Sequence, residues 1–240
     1  NLTDLISLVK EKELEVGLAF DGDADRLGVV SKEGKIIFPD MQMILFSTSI
    51  LQRNKNAKIV FDVKCSKLLP EAIEEEGGTP IMSKTGHSYI KERMRQENAL
   101  LGGEMSGHIF FNDRWPGFDD GIYAGARLLE IISNLNEEED VFKSLPELVS
   151  TSEINLATTD EEKFRIVEEF ISKANYENCT SILIDGVRIE SETGWGLLRA
   201  SNTSPNLVLR FEADTKENLE LIKNNFKKTL SDINPSLGDF

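Results

Sequence analysis

Three short segments of this chain hold side chains whose types and spacing can do chemistry. The first is Asp21-Gly22-Asp23-Ala24-Asp25-Arg26, with three carboxylates at alternate positions directly after an apolar run. Carboxylates at that spacing repel, and the cation that would hold them together is a hard one, Mg²⁺ or Ca²⁺, because every donor is an oxygen. An EF-hand is excluded, since Arg26 and Lys32 stand at the sixth and twelfth loop positions, where that motif needs Gly and Glu. A plain acidic surface loop has the same carboxylate pattern. Arg26 argues for a site, because a guanidinium beside three carboxylates suits a place where an anion also docks.

The second segment is Gly102-Gly103-Glu104-Met105-Ser106-Gly107-His108. Its small residues let the backbone approach a ligand around one carboxylate, one hydroxyl and one imidazole, a set suited to the neighbouring hydroxyls of a sugar. The chain has two His. The other, His87, lies in Lys84-Thr85-Gly86-His87-Ser88, and both stand at expected element boundaries rather than on apolar helix faces, which favours a role in a site. The third segment, Arg199-Ala200-Ser201-Asn202-Thr203-Ser204-Pro205, joins two strands and looks like a phosphate cradle. Arg199 can grip phosphate bidentately while Ser201, Thr203 and turn N–H groups donate to the remaining oxygens. Arg210 is read the opposite way: Leu207, Leu209 and Phe211 alternate inward, which puts Arg210 on the outer face near Glu212 and outside the site. Lys64 follows a strand end, a position from which a cation reaches a ligand.

The elements that must position these segments alternate. Residues 15–20 and 27–30 read as strands flanking the acidic loop, 58–61 as a strand ending at Asp62-Val63-Lys64, and 79–82 and 99–102 as further strands. Helices are expected over the Met41, Ile44, Leu45, Thr48, Leu51 pattern, over 66–76, after Gly86 and from about Asp119 to Ser133. This alternation predicts a layered α/β domain with a mostly parallel mixed sheet, in which ligands sit where strands end. Asn134 to Asp140, with Pro146 beyond, is the linker candidate. A strand (153–157), a helix with Phe164, Val167, Phe170 and Ile171 on one face, a hairpin turning at Asp185-Gly186, two more strands and a last helix (Leu219, Ile222, Phe226, Leu230) follow. They predict a small α+β domain with helices on an antiparallel sheet.

Composition narrows the function classes. A formal charge of −15 argues against a nucleic-acid binder, which needs a basic footprint. Runs such as Glu74-Glu75-Glu76 and Glu137-Glu138-Glu139-Asp140 read as solvated helix faces or linker. No apolar run approaches a membrane span and the N-terminus has no signal-peptide pattern. Cys65 and Cys179 form no C-x-x-C pair, so the expected setting is reducing and cytoplasmic. The chain starts without Met and enters a strand-like segment almost at once, as a piece of a longer protein would.

Together the three segments resemble the α-D-phosphohexomutase superfamily, and specifically its phosphomannomutase/phosphoglucomutase branch. Asp21 to Arg26 is similar to the family's metal loop, Gly103 to His108 to its sugar-binding loop and Arg199 to Pro205 to its phosphate-binding loop, in the family's order; the resemblance covers nearly the whole chain. Asp62-Val63-Lys64-Cys65 and Lys84-Thr85-Gly86-His87 resemble further segments that line the family's active cleft. Ala24 departs from the more usual Gly, a change expected only to forbid a positive φ there. The resemblance implies that residues 1–35 end a second α/β domain carrying the metal loop, that 36–147 form an α/β sugar-binding domain, and that 148–240 form a phosphate-binding α+β domain. It implies a mutase that interconverts hexose 1-phosphate and hexose 6-phosphate of mannose or glucose through a phosphoserine and a bisphosphate intermediate. Mg²⁺ would sit on Asp21, Asp23 and Asp25, with Arg26, Lys64, His87 and His108 catalytic. Glu104 and Ser106 would hold the sugar, and Arg199, Ser201, Asn202 and Thr203 the unreactive phosphate. The family's reactive Ser segment is not found in this sequence, so the chain alone is expected to be inactive and to need the missing N-terminal domains as partner. Two alternatives use fewer of these features: a non-catalytic phosphosugar- or anion-binding module, and a cation-binding structural protein that uses the acidic loop alone.

Overall fold

Small and β-branched residues between Val16 and Ser31 favour extended chain. In the computed structural model, which describes residues 2–136 and 139–240, they form an antiparallel pair, β1 (Val16–Phe20) and β2 (Leu27–Ser31), with β3 (Ile36–Ile37) added beside β2. The sequence reading has no helix before this sheet. The structure has one, α1 (Thr3–Glu11), whose Val9 is fully buried. It packs so closely that a Cβ on Gly17 would lie 2.6 Å from Val9 Cγ2. Leu5, Ile6 and Val9 share one helix face, but over too few turns to stand out in the sequence.

Helix α2 (Pro39–Leu51) opens on a proline that needs no helical N–H partner, and it buries residues on nearly every side. Next come β4 (Lys58–Asp62), α3 (Leu68–Glu75), β5 (Thr79–Ser83), α4 (His87–Glu97), β6 (Leu101–Gly103), β7 (Ile109–Phe111) and α5 (Gly121–Ser133). The sheet order is β5-β4-β6-β7, with β4 parallel to β5 and β6 and β7 antiparallel at the edge. Parallel neighbours need crossovers, which α3 and α4 provide. The C-terminal ends of β4, β5 and β6 therefore open on the same edge of the sheet.

Phe46, Phe61, Phe111 and Leu128 belong to one core, which Phe142 and Leu145 join from the segment after α5. The polar stretch read as a linker thus runs back onto the first core; Glu137 and Glu138 within it lie outside the described residues. The chain divides into two compact units, Asn1–Pro146 and Glu147–Phe240.

In the second unit β8 (Val149–Ser150), β9 (Ile154–Ala157), α6 (Glu162–Lys173), β10 (Thr180–Ile182), β11 (Val187–Ser191), β12 (Gly194–Ala200), β13 (Asn206–Ala213) and α7 (Lys216–Ser231) follow in turn. All strand pairs are antiparallel, in the order β10-β11-β12-β13, with β8 and β9 both on β13. One sheet face meets Phe170 of α6 and Phe226 and Leu230 of α7. Of the expected α6 face, Val167 and Phe170 are buried and Ile171 packs against the core, whereas Phe164 is exposed and Lys163 and Ile166 complete the buried stripe.

The other sheet face corrects the reading of Arg210. It is buried, as is Glu212, because β13 is covered on both faces rather than one. Trp195 there is fully buried with the Arg188 guanidinium 3.8 Å and that of Arg210 5.6 Å from its ring centre, and its Nε1 donates to Glu212 (2.8 Å). Charged groups so placed are tolerable because both guanidinium groups meet the indole face and the carboxylate accepts a hydrogen bond.

Candidate active site

Residues 21–26 connect β1 to β2. The Ala24 N–H donates to the Asp21 carbonyl (3.2 Å) and the Ala24 carbonyl accepts from Gly121 at the start of α5 (3.0 Å). These ties hold Ala24 at φ 59°, so the positive φ that alanine was expected to forbid is present. The loop's hydrogen bonds fix its course, and the side chain yields to them. Gly121 must be glycine for α5 to come this close, since a Cβ would lie 2.7 Å from the Arg26 carbonyl oxygen.

One oxygen each of Asp21, Asp23 and Asp25 lie within 4.8 Å of one another. Asp21 accepts from the Arg26 backbone N–H (3.2 Å) and from Arg26 Nε (2.5 Å). Burial works against the charge of Asp21, but the Arg26 contacts outweigh it and hold its pKa below the usual value. Asp25 is shifted the other way: burial raises it, His108 opposes, and the charges of Asp23, Asp21 and Asp119 add to the rise. Asp25 Oδ1 is buried without a hydrogen-bond partner among the described residues. An orphaned oxygen in a set of mutually repelling carboxylates fits a hard divalent cation.

The acidic loop meets the segment before β7 through a backbone bridge between Arg26 and His108. His108 Nδ1 lies 3.2 Å from Asp119 Oδ2 and 3.5 Å from Asp25 Oδ2, neither in hydrogen-bond geometry, since Nδ1 is also a buried orphan. The His87 ring stacks on that of His108 at 5.9 Å, with its Nδ1 3.9 Å from the same Asp119 oxygen. Lys91 of α4 reaches Asp119 as well (3.4 Å). Asp119 is thus a hub that the sequence reading missed. Its signal was the Asp119-Asp120 pair: Asp120 alone caps α5, accepting from the Tyr123 N–H (2.9 Å), which leaves Asp119 for another use.

At the ends of β4 and β6 stand Lys64 and Glu104. Glu104 is 2% exposed and accepts from the Gly86 N–H (2.5 Å). Burial, then the charge of Asp62, pushes its carboxyl up to about 7, with the Gly86 hydrogen bond and Lys64 pulling the other way. Asp62 is itself fully buried and accepts from Thr85 Oγ1 (3.0 Å) and Cys65 Sγ (3.2 Å). Lys64 is buried, with Nζ 4.0 Å from Asp62. Ser106 is exposed at the tip of the turn closed by the Gly107 N–H on the Glu104 carbonyl (3.0 Å). The first unit therefore brings together Asp21, Asp23, Asp25, Arg26 and both His through Asp119 and the Arg26–His108 bridge, and Lys64 and Glu104 through Asp62.

The remaining candidates lie in the second unit. Arg199 is buried on β12, with Nε donating to Asp185 (2.9 Å) and Nη2 without a hydrogen-bond partner among the described residues. Ser201 is buried, and its Oγ accepts from the N–H groups of Thr203 (3.3 Å) and Ser204 (3.2 Å). Asn202 and Thr203 are exposed at the loop tip. Lys163, unmarked in the sequence reading, donates to the carbonyls of Ser201 (2.8 Å) and Ser204 (3.1 Å). A cation on the apolar stripe of α6 was the available signal.

With the geometry in hand, comparison with known proteins gives a consistent result. The family described as phosphoglucomutase/phosphomannomutase, alpha/beta/alpha domain III, matches residues 38–152, and that family's C-terminal domain matches 153–229. A phosphoglucomutase of Neisseria meningitidis is 54% identical over 239 residues, covering 99% of this chain and 52% of its own length. The phosphomannomutase/phosphoglucomutase of Pseudomonas aeruginosa is 52% identical over 238 residues, covering 99% and 51%. A crystal structure of a phosphoglucomutase/phosphomannomutase family protein from Burkholderia thailandensis superposes with a TM-score of 0.92 at 45% identity, over 98% of this chain and 50% of that one. The chain thus spans about half the length of the curated relatives it matches. Among the described residues no helix is long and apolar enough to cross a membrane. The chain belongs to the α-D-phosphohexomutase superfamily, in its phosphoglucomutase/phosphomannomutase family, and corresponds to domain III and the C-terminal domain with the acidic loop before them.

Proposed function

We propose that this chain supplies the metal, sugar and phosphate loops of a cytoplasmic mutase that interconverts the 1- and 6-phosphates of mannose or glucose. The phosphoserine that donates the phosphoryl group would come from N-terminal domains outside these 240 residues. The observation that carries this reading is the Arg26–His108 bridge, which fastens the acidic loop to the sugar-type loop. In the transfer, a sugar hydroxyl oxygen attacks the phosphorus of phosphoserine, the P–O bond to the seryl oxygen breaks, and a hexose bisphosphate forms. His108 Nε2 takes the proton of the attacking hydroxyl and returns it to the departing oxygen. His108 is favoured over His87 because its side chain is 19% rather than 57% exposed and lies closer to Asp119, which would steady the imidazolium.

Asp21, Asp23 and Asp25 would hold Mg²⁺, which when bound neutralises charge on the transferring phosphoryl group. Arg26 and Lys64 add positive charge beside it. Glu104 and Ser106 accept from and donate to ring hydroxyls, and Asn202, Thr203 and the orphaned Nη2 of Arg199 grip the phosphate that does not react. The test is turnover of mannose 1-phosphate and glucose 1-phosphate by the 240-residue chain, alone and with the N-terminal domains supplied. Activity only in the second case is expected, as is a loss of at least about a hundredfold in kcat for His108→Asn in the complete enzyme. Turnover by the chain alone, or a His108→Asn enzyme near full activity, would overturn the reading.

A further inference from the structure

Lys163 is 5% exposed, on the helix stripe that also buries Ile166, Val167 and Phe170. A buried ammonium is tolerated when each of its three donors is matched. Here each is: Nζ donates to the Asp160 carboxylate (2.7 Å), the Ser201 carbonyl (2.8 Å) and the Ser204 carbonyl (3.1 Å). Two of these partners are main-chain groups of the Arg199–Pro205 loop, 38 and 41 residues further along the chain. In a trans peptide the N–H points away from its own carbonyl, so drawing the Ser201 carbonyl onto Nζ turns the Asn202 N–H to the opposite side. The loop is also gathered around Ser201 Oγ, which accepts from the Thr203 N–H (3.3 Å), the Ser204 N–H (3.2 Å) and the Ser204 hydroxyl (2.9 Å).

We infer that Lys163 is a positioning residue for phosphate recognition: from beneath the loop it fixes the course of Ser201–Ser204, and so the direction of the donors above it. The inference rests on reading Arg199–Pro205 as the phosphate-binding loop. With three donors engaged inside the protein, Lys163 acts through the loop and touches no phosphate. Its role is pre-organisation, holding the loop in the binding shape before the ligand arrives.

The inference is tested by titrating the 240-residue chain with glucose 1-phosphate and following its amide resonances. Lys163→Met should weaken binding at least tenfold with an unchanged circular dichroism spectrum, whereas Lys163→Arg, which can still donate to both carbonyls, should bind within threefold of the wild type. Thr203→Ala separates the two levels of the argument. If it weakens binding and Lys163→Met does not, the role of Lys163 is overturned; if neither variant affects binding, the phosphate reading of the loop fails. Amide hydrogen exchange gives a measure that needs no variant. The Thr203 and Ser204 amides should be protected in the unliganded chain, and protection appearing only with glucose 1-phosphate would show that the ligand, not Lys163, orders the loop.

Discussion

Glu104, buried beside Asp62, ties the candidate site to the stability of the first unit. Its carboxyl titrates at about 7 in the folded chain against a reference of 4.5. Between those values the native state binds more protons than the unfolded one, so stability falls as pH rises through that window and levels off above it. The span is on the order of 3 kcal/mol. Glu104→Gln, neutral and still able to accept from Gly86, should flatten that slope; equal slopes in urea midpoints measured from about pH 5 to 8 would put the pH dependence elsewhere. Ala24 invites a second test. Left-handed backbone costs a non-glycine residue about 1–2 kcal/mol, partly offset by the flexibility glycine adds to the unfolded chain. Ala24→Gly should therefore raise stability by roughly 1 kcal/mol, and a lower urea midpoint would show that the loop is unstrained. The residue types of the site were legible in the sequence; the conformation of Ala24 was not, because hydrogen bonds to Asp21 and to Gly121, about a hundred positions away, decide it.

Elements were readable where one periodicity ran long enough. The strands β1, β2, β4 and β5 stand out as short apolar runs bounded by turn residues, and the helices α5 and α7 by their 3.6-residue apolar repeat. α1 is too short for that test. On α6 only Phe164 was misplaced, because Lys163, a charged residue by type, occupies the buried end of the stripe. Arg210 was read as lying on an outer face near Glu212; alternation in β13 gave the face correctly but could not show that this face is covered. Helix caps offer a direct check on the element that anchors the site. Asp120→Ala removes the acceptor of the Tyr123 N–H at the start of α5 and should destabilise the first unit by about 1 kcal/mol. Thr215→Ala, which removes the same kind of contact to Asn218 at the start of α7 (3.2 Å), should cost a similar amount in the second unit. No change in thermal denaturation would show that water replaces the cap.

At the scale of the whole molecule, each unit has its own core, and a domain of about 100 residues is large enough to fold alone. Residues 147–240, expressed separately, should give a single cooperative denaturation, because the core of Phe170, Phe211 and Phe226 lies within the unit. A non-cooperative melt would mean that the unit needs the rest of the chain. The division also distributes the two tryptophans of the sequence, one to each unit. Trp115 is half-buried and stacked on Tyr123 at 4.4 Å, while Trp195 is sealed under two guanidinium groups with its N–H given to a carboxylate. These are different optical environments: one indole near water and a phenol, the other dry and flanked by charge. Fluorescence can therefore time the loss of each unit separately, and Trp115→Phe leaves Trp195 as the single lamp of the second unit.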